Sequence, residues 1–207
     1  MKVNLLSGIF ALFLFSSCAS FTGFQTGRTS GKGNMDMTVS ANYQGSGFES
    51  DDNDDDERVE IAVLEVHNQY GVGENSDVGL RLSTAGIISV DFKQQIVGGK
   101  DKKFALSAGA VVGSSFAVSL YTQVPLYLSY HPQENLAFYL NPRFTNYYTI
   151  EDEAKFYNSG SAGVLFGKNV KFGLDFSYSE VPLDFDLGSD ASIFSVGLGA
   201  KIPLIKK

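Results

Sequence analysis

Ionisable side chains recur on one parity of a series of alternating segments, and this spacing limits the chemistry open to the chain. Within residues 170–178, Lys171 and Asp175 share a parity with Gly173 and Ser177, and apolar residues occupy the other. A period of two indicates β-strands with one polar face. That face gathers five acids, five bases and one histidine: Asp36, Glu65, His67, Asp77, Arg81, Asp91, Lys93, Arg143, Lys171, Asp175 and Lys201.

The near balance of positive and negative charge predicts a mutually satisfied network on the polar face. An unpaired charge in a narrow interior is costly, so opposite charges are expected to pair there. Small barrels also fill their interiors with side chains, and the network is therefore interpreted as a plug of salt bridges. The alternative is a narrow porin-like channel for ions or small solutes lined by the same charges, and the sequence leaves both open.

Acid–base catalysis would need a nucleophile beside a base, and the chain has two histidines. His67 shares the polar parity with Glu65, and His131 precedes Pro132 in a predicted turn. Neither has a Ser or Asp at a spacing that commits to a catalytic triad. We therefore expect no enzyme, no catalytic residue and no cofactor. A lipid-modifying enzyme is kept as a further alternative, which would require a Ser or Asp across the ladder from His67.

The acidic run Glu49–Glu57 offers carboxylate oxygens of the kind that Ca²⁺ prefers. The glycine and the distal glutamate of an EF-hand loop are not in register, however. We interpret the run as a solvated loop whose charges repel one another, and we expect no metal site.

The polar residues need β-strands to position them, and the alternating pattern predicts ten. Most have the 9–11 residues that a tilted strand needs to cross a bilayer. The sequence therefore predicts an all-β, antiparallel, up-and-down transmembrane β-barrel with apolar residues outside and polar residues inside. The rival is a soluble lipocalin-type barrel with the opposite orientation. The predicted strands are 34–43, 60–70, 77–83, 87–97, 103–113, 118–130, 137–148, 157–166, 170–178 and 193–204.

Two further features of the strands carry expectations. Short turns follow the even-numbered strands and three of the five odd-numbered ones precede long loops, which predicts a periplasmic N-terminus and extracellular loops. Pro125 and Pro142 fall inside predicted strands, where each removes a ladder donor, so we expect either bulges there or strand boundaries other than those predicted.

The N-terminus predicts export. Met1 and Lys2 precede a short apolar run that ends at Phe15, a pattern typical of a secretory signal. The following residues up to Ser20 resemble a bacterial lipoprotein signal, which implies lipidation of Cys18, with cleavage after Ala19 as the alternative. The predicted organisation is a lipoprotein-type signal peptide over 1–18, a flexible tether over 19–33 and an outer-membrane barrel domain over 34–207.

Three stretches carry a resemblance to a known class: Gln25–Gly33, Gln69–Gly71 with Asp77–Leu82, and Phe104–Gly109. They are similar to small bacterial outer-membrane β-barrels of the OmpA/OmpX and porin-like type, and to uncharacterised barrels of Bacteroidota. The resemblance implies the fold and an outer-membrane location, but no reaction. We expect outer-membrane lipid and lipopolysaccharide as partners and a structural or interaction role. A net charge of −7 argues against nucleic acid. Protein partners cannot be read from the sequence.

Overall fold

A computed structural model describes residues 23–48, 59–99, 101–115, 119–149, 154–181 and 191–206. Among them, no helix is long and apolar enough to cross a membrane. The described residues form ten β-strands: β1 (Met35–Phe48), β2 (Val59–Gly71), β3 (Ser76–Ser83), β4 (Ile87–Val97), β5 (Phe104–Ser115), β6 (Ser119–Gln133), β7 (Leu136–Thr149), β8 (Lys155–Phe166), β9 (Lys171–Val181) and β10 (Ala191–Ile205).

The strands close into a single barrel. Each pairs antiparallel with its neighbours in the chain, and β1 pairs with β10 to complete the ring. In that closing pair, Val39 lies opposite Ala200 and Tyr43 opposite Val196. The predicted ten-stranded, antiparallel, up-and-down barrel is confirmed.

The barrel is apolar outside and polar inside. On β4, Val90 and Phe92 are 59% and 45% exposed, whereas Asp91 and Lys93 between and beside them are 5% and 0% exposed. Because successive side chains of a strand point to opposite faces, this alternation sends the charges to the interior. The orientation required by a soluble lipocalin-type barrel is therefore wrong, and the outer surface is of the type that faces lipid.

The two ends of the barrel differ. Residues 72–75, 98–103, 134–135 and 167–170 connect the strands at one end, which we call the short-turn end. Both the start of β1 and the end of β10 lie at this end. The acidic run Glu49–Glu57 connects β1 and β2 at the other end and lies outside the described residues.

The two prolines do not produce the expected bulges. Pro125 pairs with Arg143, Pro142 pairs with Gly160, and the register is unchanged on either side of each. Pairing of β6 with β5 is interrupted for two residues on each strand around Pro125 and then resumes in the same register. A local gap in the ladder thus accommodates the missing donor without an inserted residue.

Residues 23–27 lie buried inside the barrel, and residues 28–33 range from buried to exposed near its end, so residues 23–33 do not form the flexible tether predicted over 19–33. Phe24, Gln25 and Thr26 are only 4%, 2% and 7% exposed. Gly31 and Gly33 adopt positive φ of 81° and 78°, a conformation that favours glycine, and so the chain preceding β1 reverses into the lumen. We call residues 23–33 the plug segment; residues 19–22 lie outside the described part of the chain.

Candidate functional site

Three wall strands hold the backbone of the plug segment at successive depths. The amide of Ser30 donates to both carboxylate oxygens of Asp77 on β3, at 3.1 and 3.0 Å. Deeper in the barrel, the Gly27 amide donates to Ser129 Oγ on β6 at 3.0 Å. The Gly23 amide donates to Asp175 Oδ2 on β9 at 3.2 Å. Buried backbone donors of an irregular segment are thus satisfied by inward side chains rather than by water.

Phe24 is the apolar contact that fixes the inner part of the plug segment. Its ring belongs to a buried cluster with Ala137, Tyr139 and Leu165. Space for the ring comes from inward glycines, since a Cβ added to any of them would lie within about 3 Å of a ring atom. These glycines are Gly173, Gly197 and Gly199 on β9 and β10.

Gly27 passes so close to the wall that a side chain would not fit. An added Cβ would lie 2.4 Å from the backbone oxygen of Ala105 and 2.7 Å from that of Tyr127. Both atoms belong to strands, which cannot move aside as a flexible side chain could. On the other side, Ser107 Oγ donates to the Gly27 carbonyl. The plug segment is therefore in direct contact with the walls formed by β5 and β6.

A chain of polar contacts joins the plug segment to His67. Gln69 Nε2 donates to Gln25 Oε1 at 3.0 Å, and Gln25 Nε2 lies 3.5 Å from His67 Nδ1. Because an amide nitrogen only donates, His67 Nδ1 accepts, and Nε2–H donates to Asp91 at 2.7 Å. The His67–Asp91 contact passes over Gly79, where a Cβ would lie 2.3 Å from Asp91 Oδ2.

The hydrogen-bond partners of His67 among the described residues include an acid but no hydroxyl nucleophile of the kind a catalytic triad needs. The structure supplies the acidic neighbour, Asp91, but the second ring nitrogen faces Gln25 rather than a Ser or Thr hydroxyl. His67 is 3% exposed, so substrate has no access to it. Among the described residues, no group of three or more His, Cys, Asp or Glu side chains is arranged to hold a metal ion.

Opposite charges of the polar face approach one another in pairs. Three of these are close contacts of a base with a carboxylate: Arg81 Nε with Glu65 Oε1 at 3.5 Å, Lys93 Nζ with Asp77 Oδ2 at 3.4 Å, and Lys201 Nζ with Asp36 Oδ2 at 3.2 Å. The Lys93 ammonium also donates to the Arg28 carbonyl at 3.1 Å. The wall and the plug segment therefore share one network.

The remaining predicted lumen charges behave differently. Asp175 accepts from Tyr139 Oη at 2.7 Å in addition to the Gly23 amide, so its partners are neutral. Arg143 donates to Ser161 Oγ at 2.8 Å. Lys171 lies near the short-turn end, only half buried. Cys18 lies outside the described residues.

The side chain of Arg28 extends from the plug segment to the opening of the lumen at the short-turn end, which we call the short-turn mouth. One guanidinium nitrogen donates to the Lys102 carbonyl, and Nε is buried without a hydrogen-bond partner among the described residues. Burial lowers the pKa of the guanidinium, whereas the nearby carboxylates of Asp101 and Glu134 raise it. Arg28 is thus a partly desolvated cation at the entrance to the lumen.

Sequence reasoning missed the plug segment itself. Two signals were present. Residues 23–33 are rich in small and glycine residues, which permit close approach to a wall, and the inward parities of β9 and β10 carry Gly173, Gly197 and Gly199. Neither pattern indicates by itself which segment fills the space that the glycines leave.

The fold and the occupied lumen define a closed, transmembrane-type barrel filled by its own N-terminal segment. No family model matches the chain, and no curated protein matches its sequence. Among solved structures it is similar to an outer membrane channel from Pseudomonas putida F1, with 7% identity, 90% of this chain and 99% of that chain covered, and a TM-score of 0.56.

Two further structures are similar at lower scores. The attachment invasion locus protein Ail of Yersinia pestis matches with 14% identity, 83% of this chain and 99% of that chain covered, and a TM-score of 0.33. The outer membrane protein OprG from Pseudomonas aeruginosa matches with 13% identity, 86% and 99% coverage, and a TM-score of 0.34. At 7% identity, the similarity to the Pseudomonas putida channel shows a shared fold only.

Proposed function

We propose that the chain is an outer-membrane β-barrel with a structural or interaction role, whose lumen is closed by its own plug segment. The observation that carries the proposal is the burial of Phe24, Gln25 and Thr26, which belong to no strand, between the barrel walls. A segment bonded to β3, β6 and β9 at three depths leaves the interior occupied along its course. Function then belongs to the outer surface and the loops.

Location in the bacterial outer membrane follows from the outer surface. Apolar side chains such as Val90, Phe144 and Leu198 are 59%, 60% and 65% exposed, and this surface is stable only in contact with lipid. We further propose that the short-turn end faces the periplasm, since bacterial barrels keep their turns short on that side. The acidic loop Glu49–Glu57 would then face outward, toward lipopolysaccharide.

Conductance across a planar bilayer tests the closed lumen. The wild-type protein is expected to give no steps. Gly27→Val should give steps, because its side chain collides with the Ala105 and Tyr127 backbones and displaces the plug segment. Gly45→Val is the matched control, since no atom lies within 4 Å of its added Cβ, and it should stay silent.

A conducting wild-type protein would contradict the closed lumen and favour the second candidate, a narrow porin-like channel. One observation supports that candidate: the plug segment is not part of the wall, so its release would leave a passage lined by polar groups. In that case Arg81→Ala or Arg143→Ala should change the size or ion selectivity of the wild-type steps, because both guanidinium groups lie in the interior. Steps unchanged by both substitutions would place the current outside the lumen.

A further inference from the structure

The short-turn mouth holds a cavity of about 370 Å³ between the plug segment and the ends of five strands. One water occupies about 30 Å³ of liquid, so the cavity has room for a small ligand and several waters. Its lining comes from β1, β6, β8, β9 and β10 and from the turns between β6 and β7 and between β8 and β9. The cations among the lining residues are Arg28, Lys168, Lys171, Lys201 and Lys206.

Positive charge exceeds negative charge in this cavity. Asp36 and Glu134 are its two carboxylates, and Asp36 is already paired with Lys201 at 3.2 Å. Glu134 lies on the exposed turn beside Arg28. The cavity therefore has more cations than its own acids can neutralise, in a chain whose overall charge is −7.

Lys171 is the cation whose position the fold itself does not explain. It lies directly opposite Lys201 in the β9–β10 register, and like charges facing each other across a ladder are destabilising. Lys201, Arg28 and Lys206 are nearby cations that act on it, and Asp36 is a nearby carboxylate. Within the described part of the chain, no carboxylate forms an ion pair with Lys171.

Two buried nitrogens in the cavity lining also lack hydrogen-bond partners among the described residues. His131 is 3% exposed, its Nε2 contacts Ser129 Oγ at 2.8 Å, and its Nδ1 has no partner. Arg28 Nε is the other. Such atoms also occur elsewhere in the interior, as at Ser177 Oγ and Ser195 Oγ, so these two add polarity to the cavity lining and do not by themselves mark a ligand.

We propose that the short-turn mouth binds a phosphate group, held chiefly by Lys171 with Lys201 and Arg28. A phosphate dianion offers several acceptor oxygens to several cations at once and removes the repulsion between Lys171 and Lys201. The group can belong to free phosphate or to the headgroup of an anionic phospholipid at the membrane surface. The site does not depend on whether the lumen conducts.

Calorimetric titration of the folded protein with sodium phosphate, in an uncharged detergent, tests the site. Wild-type protein should bind saturably, and sodium chloride of equal ionic strength should not reproduce the heat. Lys171→Gln should weaken binding about tenfold, the effect of losing one charge-assisted hydrogen bond. Lys155→Gln, at the opposite end of the barrel, is the matched control and should bind as wild type.

Stability measurements separate a ligand site from a structural role of Lys171. Because Lys171→Gln removes a repulsion, its Tm without phosphate should equal or exceed that of wild type. Phosphate should raise the Tm of wild type at about tenfold lower concentration than it raises that of the variant. Lys168→Gln, at an exposed rim position, provides a second variant that should also weaken binding. Absence of saturable binding by wild type, or undiminished binding by Lys171→Gln, would overturn the proposal.

The source of the phosphate group is assigned by repeating the titration in nanodiscs. The anionic surface of phosphatidylglycerol discs repels phosphate from every variant, so the comparison is between variants. If the headgroup occupies the site, the loss of affinity from phosphatidylcholine to phosphatidylglycerol discs should be larger for wild type than for Lys171→Gln. If free phosphate is the ligand, the loss should be the same factor for both.

Discussion

At the scale of single residues, Asp77 connects the wall to the plug segment. It is 0% exposed, accepts the Ser30 amide with both oxygens, and pairs with Lys93 at 3.4 Å. Lys93 in turn donates to the Arg28 carbonyl. Two side chains of opposite charge therefore satisfy two backbone groups of a segment that has no ladder of its own.

Lys93→Met should lower the free energy of unfolding by about 3–5 kcal/mol, because it leaves the Asp77 carboxylate buried without its cation. Urea unfolding of the protein in lipid vesicles measures the change. Lys103→Met is the control, since Lys103 is exposed beside a turn, and it should change the value by less than about 0.5 kcal/mol. Equal stabilities of Lys93→Met and wild type would show that the pair is dispensable.

Phe24→Ala should release the plug segment without unfolding the barrel. Replacing a buried Phe by Ala costs about 3–5 kcal/mol, and here that energy belongs to docking of the segment against Ala137, Tyr139 and Leu165. Trypsin should then cleave after Arg28, a site protected in wild type. Phe156→Ala, where the ring is 74% exposed on the outer surface, should leave the protection intact.

At the scale of strands, a single alternation performs two tasks. The outward parity of each strand provides the lipid-facing surface, and the inward parity provides charges, hydroxyls and glycines for the interior. Inward glycines are as important as the charges, since Gly79 allows the His67–Asp91 contact and Gly173 leaves space for Phe24. The inward glycines of a strand therefore lie where another side chain packs against its inner face.

Placing a charge on the outward parity should cost stability in proportion to depth. Val90→Arg lies near the middle of β4 and should lower the free energy of unfolding in vesicles by about 2–4 kcal/mol. Val97→Arg, at the end of the same strand, should lower it by about 0–1 kcal/mol. Wild-type Val90 and Val97 are similarly exposed, at 59% and 55%, so depth is what separates them. Similar losses for both variants would contradict a bilayer around the barrel.

Removal of Glu49–Glu57 should leave folding intact. Pairing of β1 with β2 extends up to Ser46 opposite Val59, so the two strands are already in register without the connecting residues. Heat-modifiable migration in gels measures folding, and the deletion variant should keep the fast-migrating folded band. Loss of that band would show that the acidic run takes part in the barrel's structure.

At the scale of the whole molecule, barrel and plug segment form one unit. The chain reverses at Gly31 and Gly33, so the residues before β1 enter the same lumen that the ten strands enclose. Gly23 lies beside Asp175 and Asn141 within that lumen. If Cys18 carries a lipid, residues 19–22 are the stretch of chain that joins the lipidated residue to Gly23 in the lumen.

Lipidation of Cys18 is a prediction that the mass of the mature protein can test. Five residue steps separate Cys18 from Gly23, a span of at most about 18 Å. Lipidation should give a mature chain that begins at Cys18 with the added mass of acyl groups, and Cys18→Ala should abolish labelling with radioactive palmitate. An unmodified chain that begins at Ser20 would establish cleavage after Ala19 instead.

The bounds of the strands were largely predictable from the sequence, whereas the pairing of the side chains inside the barrel was not. The predicted strand at 87–97 coincides with β4, and the others differ from the observed strands by a few residues at their ends. The pairing of Lys93 with Asp77 was not predictable, although both residues were assigned to the inward face. Alternation is a property of neighbours in the chain, whereas pairing across a lumen depends on which strands close together.

The amino-acid sequence by itself determined the strands, their number and the face that meets lipid, because a two-residue period is local and survives in any register. Only the tertiary structure decided what fills the interior. The plug segment has no periodic pattern, and its position depends on groups from β3, β6 and β9 that are up to 152 residues away. Contacts between residues so far apart in the sequence form only when the barrel is closed, so no local sequence pattern predicts them.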